Sequence, residues 1–131
     1  MTFVDSAAWG ALFAPQDPLH AVATDWMQVN QDLLVTSDYV ADEVLTLLKA
    51  RFGAHLAIEA GQALWSETLS TLVYLDAADI AEAWRIFQRF TDKGWSFTDC
   101  ASYAVMRRLG ISRAFSFDRH FSQMPGIRRA P

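Results

Sequence analysis

Residues 96–106 of the chain are Ser-Phe-Thr-Asp-Cys-Ala-Ser-Tyr-Ala-Val-Met, a segment that begins like a helix and then becomes almost wholly apolar. Such a pattern predicts a helix that is buried on most of its sides. A carboxylate, Asp99, nevertheless falls in its first turn. A charge at the start of a buried helix needs a hydrogen-bonding or a ligand-binding reason.

The position of Asp99 allows two interpretations. In the first, Ser96 is the N-cap and Asp99 is its acidic partner three residues later, so that each side chain satisfies a free backbone N–H in a capping box. In the second, Asp99 faces a cleft in which further carboxylates surround a hard cation. The choice depends on where the other acidic residues fall in the fold.

The length of 131 residues predicts a single domain, residues 1–131. Hydrophobic residues make up 52% of the chain, which indicates that some apolar surface contacts another chain. No apolar segment approaches the roughly 18 residues of a membrane span, and the N-terminus lacks the features of a signal peptide. A cytoplasmic protein with no membrane association is expected. The single cysteine, Cys100, fits a reducing compartment and a small core residue.

Short segments typical of strands alternate along the chain with segments of helical periodicity. The predicted strands are residues 2–5, 33–36, 71–75 and 113–117, with a possible edge strand at 127–130. The predicted helices are residues 6–13, 19–29, 38–52, 54–66, 77–91 and 97–109, with a turn or short helix at 118–124. On the second helix, Val22, Trp26 and Val29 are expected to face inward. Alternation of this kind predicts an α/β fold with a mostly parallel sheet of four to five strands between two layers of helices.

Acidic residues gather at one edge of this predicted sheet. Asp5 ends the first strand and Asp118 follows the fourth, and ligands of such folds bind beyond the carboxyl ends of the strands. Glu43 lies on the edge of the apolar stripe of its helix, one to two turns from the start, whereas Asp42 points to water. Asp99 joins them if its helix begins at the same edge.

A cluster of four carboxylates predicts a bound cation. Carboxylates about 5 Å apart repel by roughly 3 kcal/mol per pair at an effective dielectric constant near 20. Oxygen ligands favour Mg²⁺ or Mn²⁺ over Zn²⁺, and a hard cation of this kind suits phosphoryl chemistry. The chain has no glycine-rich phosphate loop. The histidines are isolated in sequence and are interpreted as surface or local hydrogen-bonding residues: His20, His55 and His120.

This order of acids resembles the PIN-domain ribonucleases and, more narrowly, the VapC-type toxins of bacterial type II toxin–antitoxin pairs. The most specific match runs from Ser96 to Ile111 and continues through residues 115–121 to Gly126. Residues 3–6 and 37–43 match more loosely. The resemblance extends over the whole chain and implies a PIN-like three-layer sandwich.

The resemblance also implies the roles of individual residues. The four acids that would bind Mg²⁺ or Mn²⁺ and act in catalysis are Asp5, Glu43, Asp99 and Asp118. Asp5 and Asp99 would be the most direct ligands. The hydroxyls of Thr98 and Ser6 lie beside these acids in sequence and would contact the substrate or its attacking water.

The implied activity is that of a Mg²⁺-dependent endoribonuclease toxin. It would cut structured cellular RNA of the tRNA or rRNA class and so inhibit translation and growth. The implied assembly is a homodimer that joins a VapB-type antitoxin in a hetero-oligomer. The antitoxin's C-terminal segment would lie in a hydrophobic groove and inhibit at the acidic site. Trp9 and Phe13, four residues apart on one helix face, belong either to that groove or to the core.

Charge is distributed unevenly along the chain. Residues 1–48 contain seven acids and no Lys or Arg, which suits a basic antitoxin segment as well as a cation. Residues 100–131 contain six Arg and one acid. Arg119, beside Asp118, is the residue expected to contact RNA phosphate.

Two other functions are compatible with the same acids. One is a different Mg²⁺-dependent phosphotransfer enzyme, although Asp5-Ser-Ala lacks the second Asp of haloacid-type phosphatases and no Lys follows a strand as phospho-receivers require. The other is a non-catalytic PIN-like domain that binds RNA or protein. The presence of all four acids argues against a decayed site.

Overall fold

The structure, a computed structural model, describes all 131 residues. Its elements in chain order are β1 (Thr2–Val4), α1 (Ser6–Phe13), α2 (His20–Val29), β2 (Leu34–Ser37), α3 (Asp38–Phe52), α4 (Ala54–Trp65), β3 (Thr71–Val73), α5 (Ala77–Arg89), α6 (Phe97–Leu109), β4 (Arg113–Phe115), α7 (His120–Gln123) and β5 (Arg128–Ala130). Every predicted strand and helix is present, with ends shifted by at most two residues. None of the helices combines the length and apolar character needed to cross a membrane.

The five strands form one sheet in the order β3-β2-β1-β4-β5, and every pair is parallel. Parallel neighbours need crossover connections, which the helices between the strands supply. The α/β prediction is therefore confirmed, and the segment at residues 127–130 is the edge strand β5. The first strand lies at the centre of the sheet and is fully buried. Its carboxyl end opens toward the same edge as the ends of β2 and β4.

Helix α6 is the buried helix predicted from residues 96–106. Eight of its 13 residues are buried, and it packs against α5 and α3. It ends at Gly110, which has a φ of 69° and so adopts the left-handed conformation common at helix ends. Glycine adopts this conformation most readily. The capping box also forms: Ser96 accepts from the Asp99 amide and Asp99 accepts from the Ser96 amide, each at 3.0 Å.

Trp9 belongs to the core. Its side chain is fully buried, and its indole Nε1 donates to the Thr36 hydroxyl at 3.1 Å. Phe13 stacks on it with ring centroids 5.6 Å apart and is only partly buried. Of the two interpretations of this pair, the core is the correct one for Trp9.

Helix α2 is less buried than its pattern indicates. Val22 and Val29 are exposed, so the prediction that they face inward is wrong. Ala23 is buried, and Trp26 stacks on Phe115 of β4 with ring centroids 4.0 Å apart. One large aromatic contact and a small buried residue hold this helix on the sheet.

The start of helix α5 is held by polar contacts. Asp76 and Asp79 form a capping box there, and Asp79 accepts two hydrogen bonds from the Arg108 guanidinium of α6.

Farther along, α5 presents an uncovered apolar face. Trp84 is 52% exposed and stacks on Phe87. The aromatic contacts continue to α6 and α3, and we call this set the aromatic strip: Trp84, Phe87, Phe97 and Tyr39.

Candidate active site

Asp5 lies at the centre of the carboxyl edge of the sheet. It directly follows β1 and is the N-cap of α1, so the strand end and the helix start both fix its position. Its side chain is only 3% exposed. The carboxylate accepts from the Ser6 amide and, at 2.6 Å, from the Ser116 hydroxyl. Asp5 is therefore an ordered, buried charge.

Glu43 reaches Asp5 through Ser6. The Ser6 hydroxyl lies 2.6 Å from Glu43 Oε2 and 3.2 Å from Asp5 Oδ1. Asp42, the next residue on α3, is exposed. The helical geometry that predicted Glu43 to face the protein and Asp42 to face water is thus confirmed. Ser6 uses its hydroxyl to link these two acids.

Asp99 enters the same edge from the first turn of α6. It makes the capping box and also accepts, at Oδ2, a contact of 3.1 Å from Nδ1 of His120. The capping interpretation is therefore confirmed. The cation-binding interpretation stays a prediction that is compatible with it, because capping occupies Oδ2 and leaves Oδ1 without a hydrogen bond.

Asp118 lies in the loop between β4 and α7. Its amide donates to the Ser116 hydroxyl at 2.9 Å, and its Oδ1 accepts from the His120 amide at 2.9 Å. Ser116 therefore connects Asp118 to Asp5, as Ser6 connects Glu43 to Asp5.

His120 is the residue that sequence reasoning missed. Oxygen or nitrogen atoms of Asp99, Asp118 and His120 all lie within 4.8 Å of one another, whereas Asp5 and Glu43 lie outside this tightest group. The interpretation of His120 as an isolated residue was wrong because its partner Asp99 is 21 residues away in sequence. The one available signal was its position two residues after Asp118, where a short turn returns a side chain toward the acid.

The electrostatics of the site favour a bound cation. The pKa of Asp5 is raised from 3.8 to about 6, chiefly by burial and to a smaller extent by the charge of Asp99, against the opposing hydrogen bonds from Ser116 and Ser6. A divalent cation would offset this repulsion, and the oxygen-rich donor set fits Mg²⁺ or Mn²⁺. The nearby Cys100 is no nucleophile, because burial and then the charge of Asp99 raise the pKa of its thiol to about 11.

Two residues expected to contact substrate lie at the rim of this site. Thr98 is partly exposed in the first turn of α6, and its hydroxyl makes no hydrogen bond within the chain. Arg119 is exposed directly after Asp118 and forms no ion pair. Neither side chain is therefore engaged by another residue of the chain.

The arrangement on this edge is a set of buried and half-buried carboxylates, linked by two serines and one histidine, at the ends of parallel strands. The sequence profile of the PIN domain matches residues 2–127, nearly the whole chain. The chain belongs to the PIN domain family. The resemblance drawn from the order of acids along the sequence is thereby confirmed.

Individual relatives of the chain are nucleases. The chain is 38% identical over 125 residues to the 23S rRNA-specific endonuclease VapC20 of Mycobacterium tuberculosis, covering 93% of this chain and 92% of that protein. It is 30% identical over 129 residues to ribonuclease VapC26 of the same species, covering 95% and 92%. The sequence identities, each extending over more than nine tenths of both chains, support the predicted enzyme class, an endoribonuclease of the toxin type.

The fold of one relative is known from crystallography. A crystal structure of M. tuberculosis VapC20, described as a sarcin–ricin loop cleaving toxin, superposes on this chain with a TM-score of 0.89. The superposition covers 94% of each chain at 32% identity. The PIN-like α/β architecture predicted from the sequence is thus confirmed by a solved structure.

Proposed function

We propose that this protein is a Mg²⁺- or Mn²⁺-dependent endoribonuclease that cuts 23S ribosomal RNA and acts as the toxin of a toxin–antitoxin pair. The observation that carries the proposal is the meeting of four acids from four segments of the chain at one sheet edge. The likeness to a 23S rRNA-specific endonuclease over 93% of the chain supports the choice of substrate. A protein that acts on ribosomes works in the cytoplasm.

The four acids would have different roles toward the cation. When bound, a divalent cation supplies charge that stabilises a phosphate in the transition state and lowers the pKa of a water molecule. Asp99 and Asp118 each keep one carboxylate oxygen without a hydrogen bond that could hold it, and the buried Asp5, which Asp99 repels, would add its charge beside them. Glu43 would bear on the cation through Asp5 and Ser6.

The rim residues would bind the RNA backbone. Arg119 is exposed beside Asp118 and carries an unpaired guanidinium, which suits a phosphate next to the cut bond. Thr98 offers a free hydroxyl one residue before Asp99. Ser6 contributes by holding Glu43 against Asp5, since its hydroxyl is already engaged at 2.6 Å.

The test is cleavage of purified ribosomes, of naked 23S rRNA and of total tRNA, with 5′ ends mapped afterwards. We expect one dominant new 5′ end with the wild type in Mg²⁺ or Mn²⁺, and none with EDTA or with Asp99→Asn. Asp92→Asn is the matched control, because Asp92 is an exposed acid seven residues before Asp99 and outside the acidic cluster. Cleavage confined to tRNA would refute 23S rRNA as the substrate. Cleavage by Asp99→Asn would refute the catalytic role of the acids.

The antitoxin would bind a groove that adjoins the acids. The groove lies between α1, the segment that precedes α2, and α3, and has a volume of about 210 Å³. Ser6, which contacts Asp5 and Glu43, is one of its lining residues, together with the exposed apolar residues Leu19 and Leu47. An apolar antitoxin segment in this groove can therefore extend a Lys or Arg to the acids.

Neutralisation in cells tests this groove. We expect Leu47→Glu to remain toxic but to escape the antitoxin, because an apolar antitoxin segment over this position would have to desolvate the new carboxylate. The control is Ile58→Glu, an exposed apolar residue of α4 outside the groove. A Leu47→Glu protein that the antitoxin still neutralises would move the antitoxin to another surface.

The proposed homodimer would use the aromatic strip. Large aromatic side chains that remain exposed on one helix face are typical of interface cores. Trp84 and Phe87 extend from α5 toward Phe97 at the start of α6. Because Asp99 lies two residues after Phe97, pairing through this strip would bring the two acidic sites close to the dimer interface.

A further inference from the structure

His120 contacts two of the four acids through one ring atom. Its Nδ1 lies 3.1 Å from Asp99 Oδ2 and 3.3 Å from Asp118 Oδ1. Two carboxylate oxygens facing one ring nitrogen require that this nitrogen carry the proton, since a lone pair would repel both. The ring therefore donates to the carboxylates from Nδ1.

These contacts decide which carboxylate oxygens remain free. Asp99 Oδ2 receives the Ser96 amide at 3.0 Å in addition to the ring, while Asp99 Oδ1 receives no hydrogen bond. Asp118 Oδ1 receives the His120 amide at 2.9 Å in addition to the ring, while Oδ2 receives none. Each of the two acids is thus left with one oxygen for a cation.

We propose that His120 is a positioning residue of the metal site, which ties Asp118 to Asp99 so that their free oxygens are presented together. The ring does not bind the cation in this role; it fixes the rotation of both carboxylates. This inference rests on the proposed function, because it assigns a task to His120 within the same cation site.

The surroundings of the ring hold it in this orientation. Its far edge, Nε2, faces Gly94 in the loop that precedes α6, where a Cβ atom would come within 3.4 Å of it. The α7 segment is attached to the α6 region by further contacts: Trp95 Nε1 donates to Gln123 at 2.9 Å, and the Tyr103 hydroxyl donates to the Pro125 carbonyl at 2.8 Å. The segment is therefore expected to keep its place when the His120 side chain is removed.

The test measures Mn²⁺ affinity without RNA, by electron paramagnetic resonance and by calorimetry. We expect His120→Ala to weaken Mn²⁺ binding about 10-fold, as loss of a group that orients a metal ligand commonly does. His120→Asn should restore most of the affinity, because its amide nitrogen can occupy the place of Nδ1. The matched control, Gln123→Ala, removes a different link between the same two segments and should bind Mn²⁺ like the wild type.

Three results would overturn the proposal. The first is wild-type Mn²⁺ affinity in His120→Ala. The second is equal loss in Gln123→Ala, which would make the effect one of general structure. The third is a ¹⁴N coupling of imidazole to bound Mn²⁺ in pulsed resonance spectra, which would make His120 a ligand. The predicted affinities in a protein that cuts no RNA would support the positioning role while refuting the endoribonuclease.

Discussion

Replacing Asp5 by Asn should stabilise the metal-free protein while abolishing RNA cleavage. The pKa of Asp5 is raised from 3.8 to about 6, chiefly by burial. At pH 7.5 the carboxyl is ionised in a buried site that disfavours its charge. The ionised side chain therefore lowers the free energy of unfolding. Asn removes the charge and keeps an oxygen that can accept from the Ser6 amide.

The size of the effect follows from the pKa shift. About two pKa units correspond to about 3 kcal/mol at pH 7.5. The Ser116 hydroxyl loses its carboxylate acceptor in the variant, which costs about 1 kcal/mol. The net gain of about 2 kcal/mol raises the melting temperature of a chain of this length by about 7 °C.

The sign of the pH dependence follows from the same shift. Between pH 3.8 and about 6 the folded state binds more protons at Asp5 than the unfolded state, so wild-type stability falls as the pH rises through this window. Above pH 6 this contribution is constant. The gain from Asp5→Asn should therefore be near zero at pH 4.5 and reach about 2 kcal/mol at pH 7.5.

The assay is thermal unfolding of wild type and Asp5→Asn between pH 4.5 and 7.5 in EDTA, repeated with Mg²⁺. Asp42→Asn, an exposed acid next to Glu43, is the control and should show no such pH-dependent difference. Added Mg²⁺ should raise the melting temperature of the wild type far more than that of Asp5→Asn. A difference between the two proteins that does not change with pH would refute the reasoning.

Three further predictions concern other parts of the molecule. In the Asp99→Asn background, which prevents cleavage, Arg119→Ala should weaken RNA binding and reduce the slope of log affinity against log salt by about one; an unchanged slope would exclude a phosphate contact. Trp84→Glu should convert a dimer to a monomer in light scattering, because it places a charge in the aromatic strip; an unchanged mass would assign the interface elsewhere. Arg108→Met should lower the free energy of unfolding by about 1–2 kcal/mol in denaturant titrations, since Asp79 is 3% exposed and loses both guanidinium bonds. If Arg108→Met were as stable as the wild type, the hydrogen bond within the capping box of α5 would be sufficient for the Asp79 carboxylate.

The fold was predictable because its determinants are local in sequence. The capping residues Ser37, Asp76 and Ser96 each start a helix at the predicted place, and Gly53 and Gly110 each end one. Helical periodicity also placed Glu43 inward and Asp42 outward. Periodicity does not show, however, whether another part of the chain covers an apolar helix face. Val22 and Val29 of α2 were therefore predicted inward although they are exposed.

The site was predictable only in part, for a related reason. Acids at strand ends and helix starts follow from element boundaries, so Asp5, Asp99 and Asp118 could be assigned to one edge before any contact was known. Their links could not, because Ser116 and His120 reach partners 111 and 21 residues away. Neither Ser116, directly after a strand, nor His120, at the start of a short helix, carries a sequence signal for a partner so far away in the chain.

The network of hydroxyls and imidazole explains how the acids stay together without a cation. Ser6 and Ser116 each place an O–H near Asp5, and His120 places an N–H between Asp99 and Asp118. These donors lower the repulsion only partly, since the pKa of Asp5 remains raised to about 6. The remaining cost lowers the stability of the metal-free protein and is recovered when a cation binds, so a higher cation affinity goes with a lower stability of the metal-free fold. A substitution that relaxes the acids should thus stabilise the metal-free fold and weaken the metal complex at the same time.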